Sequence, residues 1–285
     1  MALRKTKTPK ETTAPYVPKL DINYPSSLDG HTDKLEITHE VIVDKNYPFL
    51  DKTFRFRILR FLMYILIFAV VFFLSTGRFG LKVEGRKNLR KYRKLFKNGA
   101  MTISNHIHRW DYLFVLQAVR FRMMYFPAWK ENLNTPDESF VRLAGGIPIP
   151  DNISTIKYFY RAFDEIHAMK KWIHSFPEQS SFYYFQPIRP FKKGTFTLAL
   201  RYGLPVIPLA FSYRKPNFPF ALVNTLRSLA GKQKLPMITV RIGEPVLPDK
   251  NLSRKEAVQK LRKDCHSAVV CLAGINCNPY PAEGD

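Results

Sequence analysis

The chain has 285 residues, 46% of them hydrophobic and 14% aromatic, which excludes a disordered or low-complexity protein and suits one large domain or two small ones. Its 45 Lys and Arg against 23 Asp and Glu give a net charge of +22, implying an anionic partner: nucleic acid, an anionic membrane or a phosphorylated substrate. The three cysteines, Cys265, Cys271 and Cys277, form no disulfide framework and match no zinc spacing; they read as small apolar residues on or after a final helix in a reducing compartment.

Residues 1–45 are polar and broken by Pro9, Pro15, Pro18 and Pro25, which predicts a mobile or surface-draped arm. With no apolar core segment at the start, a cleavable signal peptide is not expected. Residues 1–57 carry ten basic and eight acidic side chains, whereas 58–100 carry ten basic and one acidic, Glu84. That basic stretch opens with the most hydrophobic run in the chain, 61–74. As a helix the run reaches about 21 Å, or about 26 Å if continued to Gly77, against a hydrocarbon core of roughly 30 Å. Lys52, Arg55, Arg57 and Arg60 precede it and Arg78 and Lys82 follow it, so flanking charge sets no orientation. A helix embedded in one leaflet, a single span and a buried core helix remain open. The charge bias favours a membrane-associated segment over 46–80, with anionic lipids as partner. Nucleic acid is not expected, because the basic cluster adjoins an apolar anchor rather than an aromatic stacking platform.

After Gly80 short strands alternate with helices. The pattern predicts a strand over 81–85, a basic exposed helix over 86–97, a strand over 100–104, a helix over 112–120 and an extended stretch over 123–128. Thr135-Pro136-Asp137-Glu138 reads as a capping box with proline in the first helical position. A turn and short extended stretch follow over 145–150, then a long helix over 153–173, a loop over 175–180 and a helix over 193–202. Strands over 205–213 and 237–242 and a final capped helix over 253–273 complete the chain. This predicts the α/β class, a mixed central sheet flanked by helices, with strand C-terminal ends gathered at one edge. The expected organisation is an arm over 1–45, the anchoring helical segment over 46–80, a catalytic domain over 81–275 and a tail over 276–285.

The informative segment is Ser104-Asn105-His106-Ile107-His108-Arg109-Trp110-Asp111. On one regular helix the five-residue spacing of His106 and Asp111 is about 140° of rotation, so they would not share a face. With His106 in the turn leaving a strand and Asp111 in the first helical turn, the carboxylate reaches back to the imidazole. A histidine so held is a fixed-tautomer general base. A second reading is metal binding, since His106 and His108 on an extended segment share one face, but His167, His174 and His266 supply no obvious further ligand set.

The arrangement resembles the glycerolipid acyltransferase family, typified by 1-acyl-sn-glycerol-3-phosphate acyltransferases. Asn105-His106 through Asp111 is its NHxxxxD signature, and the resemblance runs in order over roughly 81–245. Val83-Glu84-Gly85 with Asn88-Leu89 is similar to the lead-in, and 129–133 to the KxEL segment. Gly145-Gly146-Ile147 falls at the second signature, GxIxxxR, and Phe176-Pro177-Glu178 at the third, FPEGTR. Pro190 to Gly194 is similar to PFKxG, and Val206-Ile207-Pro208 to the final apolar-proline signature.

The resemblance implies acyl transfer without a covalent enzyme intermediate and with no cofactor, acyl-CoA or acyl carrier protein serving as co-substrate. His106 and Asp111 would be catalytic, and Lys130, Glu178, Lys192, Lys193 and Arg189 would bind substrate. Asn105, Gly146, Pro177, Gly194 and Pro208 would support the motifs. The acceptor would be a lysophospholipid, 1-acyl-sn-glycerol-3-phosphate first, with glycerol-3-phosphate or another lysolipid as alternatives; a catalytically inactive membrane-binding homologue and a metal-dependent hydrolase are rivals. The expected location is the cell membrane, monotopic or single-pass, with the catalytic domain facing the cytoplasm. The chain departs from the family where it would grip phosphate: the motif arginines are Asp151 and Ser181, the third signature's glycine is Gln179, and position 108 is histidine.

Overall fold

The structure, a computed structural model, describes residues 16–32 and 35–282. The start of the expected arm, and 33–34 and 283–285, lie outside the described residues.

The apolar run lies within helix α1 (Phe54–Phe79), longer than the run because Thr53 caps it and Gly80 (φ 53°) ends it. Thr53 accepts a hydrogen bond from the Phe56 amide, filling one of the orphan donors of the first turn. Arg60, Tyr64, Ile67, Val71, Ser75 and Phe79 are buried along one face, at three- and four-residue steps. They lie against helices α3 (Asp111–Ala118) and α4 (Glu138–Ala144). Each large apolar member of that stripe contributes roughly 1.5–3 kcal/mol by leaving water. Arg60 is buried because it donates to the Met124 carbonyl at 2.9 Å and stacks over Tyr125. The opposite face exposes Phe61, Leu62, Ile65, Leu66, Phe68, Phe72 and Phe73. The fully buried core helix is thereby excluded for this segment. By length and composition the helix is apolar enough to cross a membrane.

Seven strands form one mixed sheet in the order β1-β7-β6-β2-β5-β3-β4. They are β1 (Lys82–Glu84), β2 (Met101–Ser104), β3 (Met124–Ala128), β4 (Gly146–Pro148), β5 (Trp172–Ser175), β6 (Val206–Arg214) and β7 (Met237–Ile242). β6, β2, β5, β3 and β4 run parallel, β7 is antiparallel to β6, and β1 is parallel to β7. One face is covered by α1 and α3, with Ile67, Phe114 and Phe211 in that core. The other face is covered by α5 (Ile156–Ala168), α6 (Gly194–Arg201) and α8 (Arg254–Ala273), with Phe163, Phe196 and Leu261. The expected α/β class and helix-flanked mixed sheet hold.

Several local expectations change. The basic helix over 86–97 stops early: α2 is Arg86–Lys91, followed by a 3-10 turn over Leu95–Asn98. Arg86 is not a free surface charge, since it donates to the carbonyls of Gln117 and Ala118. Thr135 makes no capping box: its hydroxyl accepts from the Asp137 amide, and α4 starts at Glu138 without a side-chain cap. The long helix over 153–173 is α5 plus strand β5, because Lys170 (φ 55°) turns the chain back and Trp172–Ser175 fill the gap between β2 and β3. Helix α7 (Phe220–Leu229) lies in a stretch where the sequence pattern predicted nothing. The capping box of α8 is present, Ser253 accepting from Glu256 N–H and Glu256 accepting from Ser253 N–H. Cys265 is buried in α8, whereas Cys271 and Cys277 are exposed free thiols.

Candidate active site

The candidate site forms where the parallel strands end together. Asn105, the first residue past β2, bridges to β6: its amide donates to the Phe211 carbonyl at 3.2 Å and its oxygen accepts from the Phe211 amide at 2.8 Å. That two-pronged clamp fixes the chain as it leaves the sheet. His106 follows in the turn and Asp111 opens α3, which brings the His106 Nδ1 and Asp111 Oδ2 atoms to 2.8 Å. The same carboxylate oxygen accepts from the amides of Ile107 (2.6 Å) and His108 (3.0 Å). Asp111 is fully buried at a helix N-terminus, where the helix dipole favours negative charge, while the His106 side chain keeps 18% of its surface open. The turn-and-helix placement argued from spacing is what the structure has.

The imidazole is packed as well as bonded. His106 stacks on Phe176 at 4.1 Å, and His174 meets the Phe176 ring edge-on at 4.4 Å. His174 is fully buried on β5, hydrogen-bonded to Thr102 at 2.9 Å, and burial and the nearby His106 push its pKa down to about 3. His108 is likewise held neutral, its pKa lowered to about 4 by burial and by Arg78 and Arg109. Its Nδ1 accepts the Trp110 amide at 3.1 Å and its ring stacks on Tyr183, so His108 serves the turn. Among the described residues no group of three His, Cys, Asp or Glu side chains is placed to hold a metal.

The loop after β5 carries the second half of the site. Glu178 sits with both oxygens turned inward: Oε2 accepts from the His106 amide at 2.9 Å, and Oε1 from the Arg189 amide at 2.8 Å. The Arg189 guanidinium lies 3.1 Å from Oε2 and also donates to Leu28 O and to Ser180. Burial raises the Glu178 pKa, opposed by Arg189 and the two amides. The Glu178 and Arg189 side chains are at most 3% exposed, so the expected contacts with substrate are replaced by internal ones. Arg189 thus provides a cation under the loop in a chain whose motif arginine is Ser181. Gln179, in the glycine's place, keeps a glycine-like backbone at φ 66°, which costs a residue with a side chain on the order of 1 kcal/mol.

The lysines are at the rim. Lys130, just past β3, pairs with Asp151 at 2.8 Å, the residue in the second signature's arginine position. Lys192 pairs with Asp29 of the N-terminal arm at 2.9 Å, and Lys193 is exposed at the start of α6. The arm lies on this rim: Tyr24 stacks on Phe182, His31 stacks on Trp129, and the Thr32 amide donates to Ser181 O. The supporting residues have separate physical reasons. A Cβ is what Gly145 lacks room for, since at φ 109° it would meet the Met124 carbonyl at 2.3 Å, and at Gly146 it would meet Val141 at 2.6 Å. Pro177 is buried and its carbonyl accepts the Lys192 amide. Pro208 lies just outside the β6–β7 register, which begins at Leu209, and its carbonyl accepts from Gly243. A Cβ at Gly194 would meet nothing within 4 Å, so packing does not demand glycine there.

Sequence reasoning placed Phe176 in the third signature and weighed His174 only as a metal ligand, so it missed their packing beside His106 and the pairing of Arg189 with Glu178. A buried histidine on a strand was hidden by reading 153–173 as one helix, and no local signal joins Arg189 to Glu178 beneath the loop.

A family model described as Acyltransferase matches residues 80–212, the span that holds every motif from the lead-in to Pro208. No curated protein sequence matches the chain. Among solved structures, the 1-acyl-sn-glycerophosphate (LPA) acyltransferase PlsC from Thermotoga maritima is similar, with a TM-score of 0.46 and 19% identity over 79% of this chain and 85% of that chain. With the ordered signatures and the domain match together, the chain carries an acyltransferase domain over residues 80–212 and resembles the glycerolipid acyltransferases. It is an O-acyltransferase.

Two predictions follow from the buried groups. Arg189→Met, which leaves the Glu178 charge uncompensated, lowers stability by about 3–5 kcal/mol in chemical denaturation, and adding Glu178→Gln restores part of it. His108 and His174 are charged more easily unfolded than folded, so the unfolded chain takes up more protons between their ordinary pKa and about 4 and 3 respectively. Stability is then full above pH 6.5 and falls on acidification through that window, by up to about 3 kcal/mol for His108. His108→Asn flattens the fall in melting temperature between neutral and mildly acidic buffer; an unchanged slope refutes the assignment.

Proposed function

We propose that the enzyme transfers a fatty acyl group from acyl-CoA or acyl carrier protein to a hydroxyl of a lysophospholipid, 1-acyl-sn-glycerol-3-phosphate first, giving phosphatidic acid. The observation that carries this reading is the partly exposed imidazole of His106 with Nδ1 fixed 2.8 Å from a buried carboxylate. Asp111 sets the tautomer in which Nε2 is the basic nitrogen, and stabilises the imidazolium once it forms. As the acceptor oxygen attacks the thioester carbonyl, its proton moves to Nε2. The new C–O bond then replaces the C–S bond, and the imidazolium returns the proton to the departing thiolate. Ser104, the nearest hydroxyl in the sequence, is fully buried, which favours direct transfer over a serine ester. Glu178 and Arg189 act as positioning residues, because Glu178 holds the His106 backbone rather than the acceptor.

Lys130, Lys192 and Lys193 are the cations proposed to meet the acceptor phosphate. Both Asp29 and Asp151 are more than half exposed, and surface pairs of this kind are worth about 0–1 kcal/mol, so a dianionic phosphate displaces the carboxylates. The same pairing favours a second reading, an acceptor with less headgroup charge, because Lys130 and Lys192 each already have an anion and both motif arginines are gone. The location proposed is the membrane surface with the catalytic domain on the cytoplasmic side. The contact of α1 with the domain from Arg60 to Phe79 supports a helix lying along one leaflet over a bare span. Lys87 and Arg90 of α2 would add headgroup contacts.

His106→Ala lowers turnover by roughly a thousandfold or more with an unchanged circular dichroism spectrum, and Asp111→Asn by less. Near-normal transfer by the first variant ends the proposal. Lys130→Met raises the KM for a phosphorylated acceptor by about tenfold while leaving that for the acyl donor, and Asp151→Asn lowers it. If instead uncharged lysolipids are the better acceptors for the wild type, the second reading stands.

A further inference from the structure

Helix α7 (Phe220–Leu229) lies beyond the segment matched by the acyltransferase family model and presents its apolar side outward. Leu222, Leu226 and Leu229, at four- and three-residue steps, are 55%, 58% and 81% exposed, and Phe218 just before the helix is 81% exposed. A helix of a soluble protein turns such a stripe to the core. Here the buried position is Asn224, whose amide donates to Leu235 O at 2.8 Å and whose oxygen accepts the Leu235 amide at 3.0 Å. The helix is therefore fastened by its polar side. The segment after it is held as well: Arg227 Nε donates to Gln233 O, and Gln233 exchanges two hydrogen bonds with the backbone of Asp21.

Two further observations say what covers the stripe. The first is continuity with α1: Val223 joins Ala69, Val70, Phe73, Leu74 and Gly77 in lining one groove of about 670 Å³, with Arg78 beside it. The second is charge. Residues 214–243 contain Arg214, Lys215, Arg227, Lys232, Lys234 and Arg241 and no acidic residue, and residues 52–83 are likewise without Asp or Glu. A continuous apolar surface built from segments that carry cations and no acidic residue complements an anionic bilayer. We propose that α7 is a second membrane-docking helix, lying beside α1 with Leu222, Val223, Leu226 and Leu229 among the acyl chains. Lys215, Lys232 and Lys234, all exposed, meet the lipid phosphates. Two contacts, rather than one, then fix how the catalytic domain is tilted on the bilayer. The inference rests on α1 lying in the membrane, and the test reads that part separately.

In full-length protein with Cys271→Ser and Cys277→Ser, an environment-sensitive fluorophore is placed through Phe73→Cys on α1, Leu226→Cys on α7, or Ser228→Cys, about 200° around α7 from Leu226. Each protein is reconstituted into phosphatidylcholine vesicles with about a third phosphatidylglycerol, with or without lipid carrying a doxyl quencher in its chain. The expected result is a blue shift and loss of about half the emission at positions 73 and 226, and little of either at 228. Replacing Lys215, Lys232 and Lys234 by Gln lowers the quenching at 226 but not at 73. Quenching at 73 with none at 226 overturns the proposal and leaves the α1 anchor standing, whereas no quenching at either position overturns both. A blue shift at 226 that doxyl lipid does not quench means that protein, a second copy or another partner, covers α7, and also overturns it.

Discussion

A single buried carboxylate organises the candidate site. Asp111 accepts from the His106 ring and from two successive backbone amides through one oxygen. The backbone contacts shape the turn between β2 and α3 so that the imidazole has one place to go. Burial makes this effective: with the charge out of water, its attraction to an imidazolium is weakly screened, and its loss would leave three donors unmatched. The position at the start of α3 supplies a further favourable field.

Around that anchor, the sheet distributes the remaining work among neighbouring strands. β2, β5 and β3 are adjacent and parallel, so the His106 turn, the Glu178 loop and Lys130 all emerge at one edge. Loops leaving such an edge converge without long connections, which is the general reason why parallel sheets carry sites there. Asn105 ties the edge to β6, and Glu178 ties the β5 loop to the His106 backbone. Arg189 lies below both and balances the Glu178 charge. The catalytic half therefore stands on buried polar groups, whereas Lys130 and Lys192 sit in exchangeable pairs with exposed carboxylates. Such a division suits an enzyme whose chemistry must stay fixed while its acceptor enters and leaves.

The exposed apolar features follow from the same packing. α1 buries one stripe against α3 and α4 and leaves the other apolar stripe outside, so the helix packs on the domain along most of its length. Surface charge is polarised accordingly, with no acidic residue in 52–83. The N-terminal arm reaches the candidate site, where Asp29 meets Lys192 and Leu28 meets Arg189.

By itself the sequence determined the α/β class, the apolar helix and the pairing of His106 with Asp111, because these depend on local spacing: alternation, an uncharged run, and a strand–turn–helix junction five residues long. The ordered signatures also marked Asn105, Glu178 and the lysines, and the capping box of α8 was readable from Ser253 and Glu256. Only the tertiary structure decided that 172–175 is a strand, since those four residues become one by filling the gap between β2 and β3. It alone turned Glu178 inward, paired it with Arg189 eleven residues on, and set Asp29 and Asp151 against the lysines. Those outcomes depend on which loops share a sheet edge and which charges lose their water, and neither is written in the neighbouring residues.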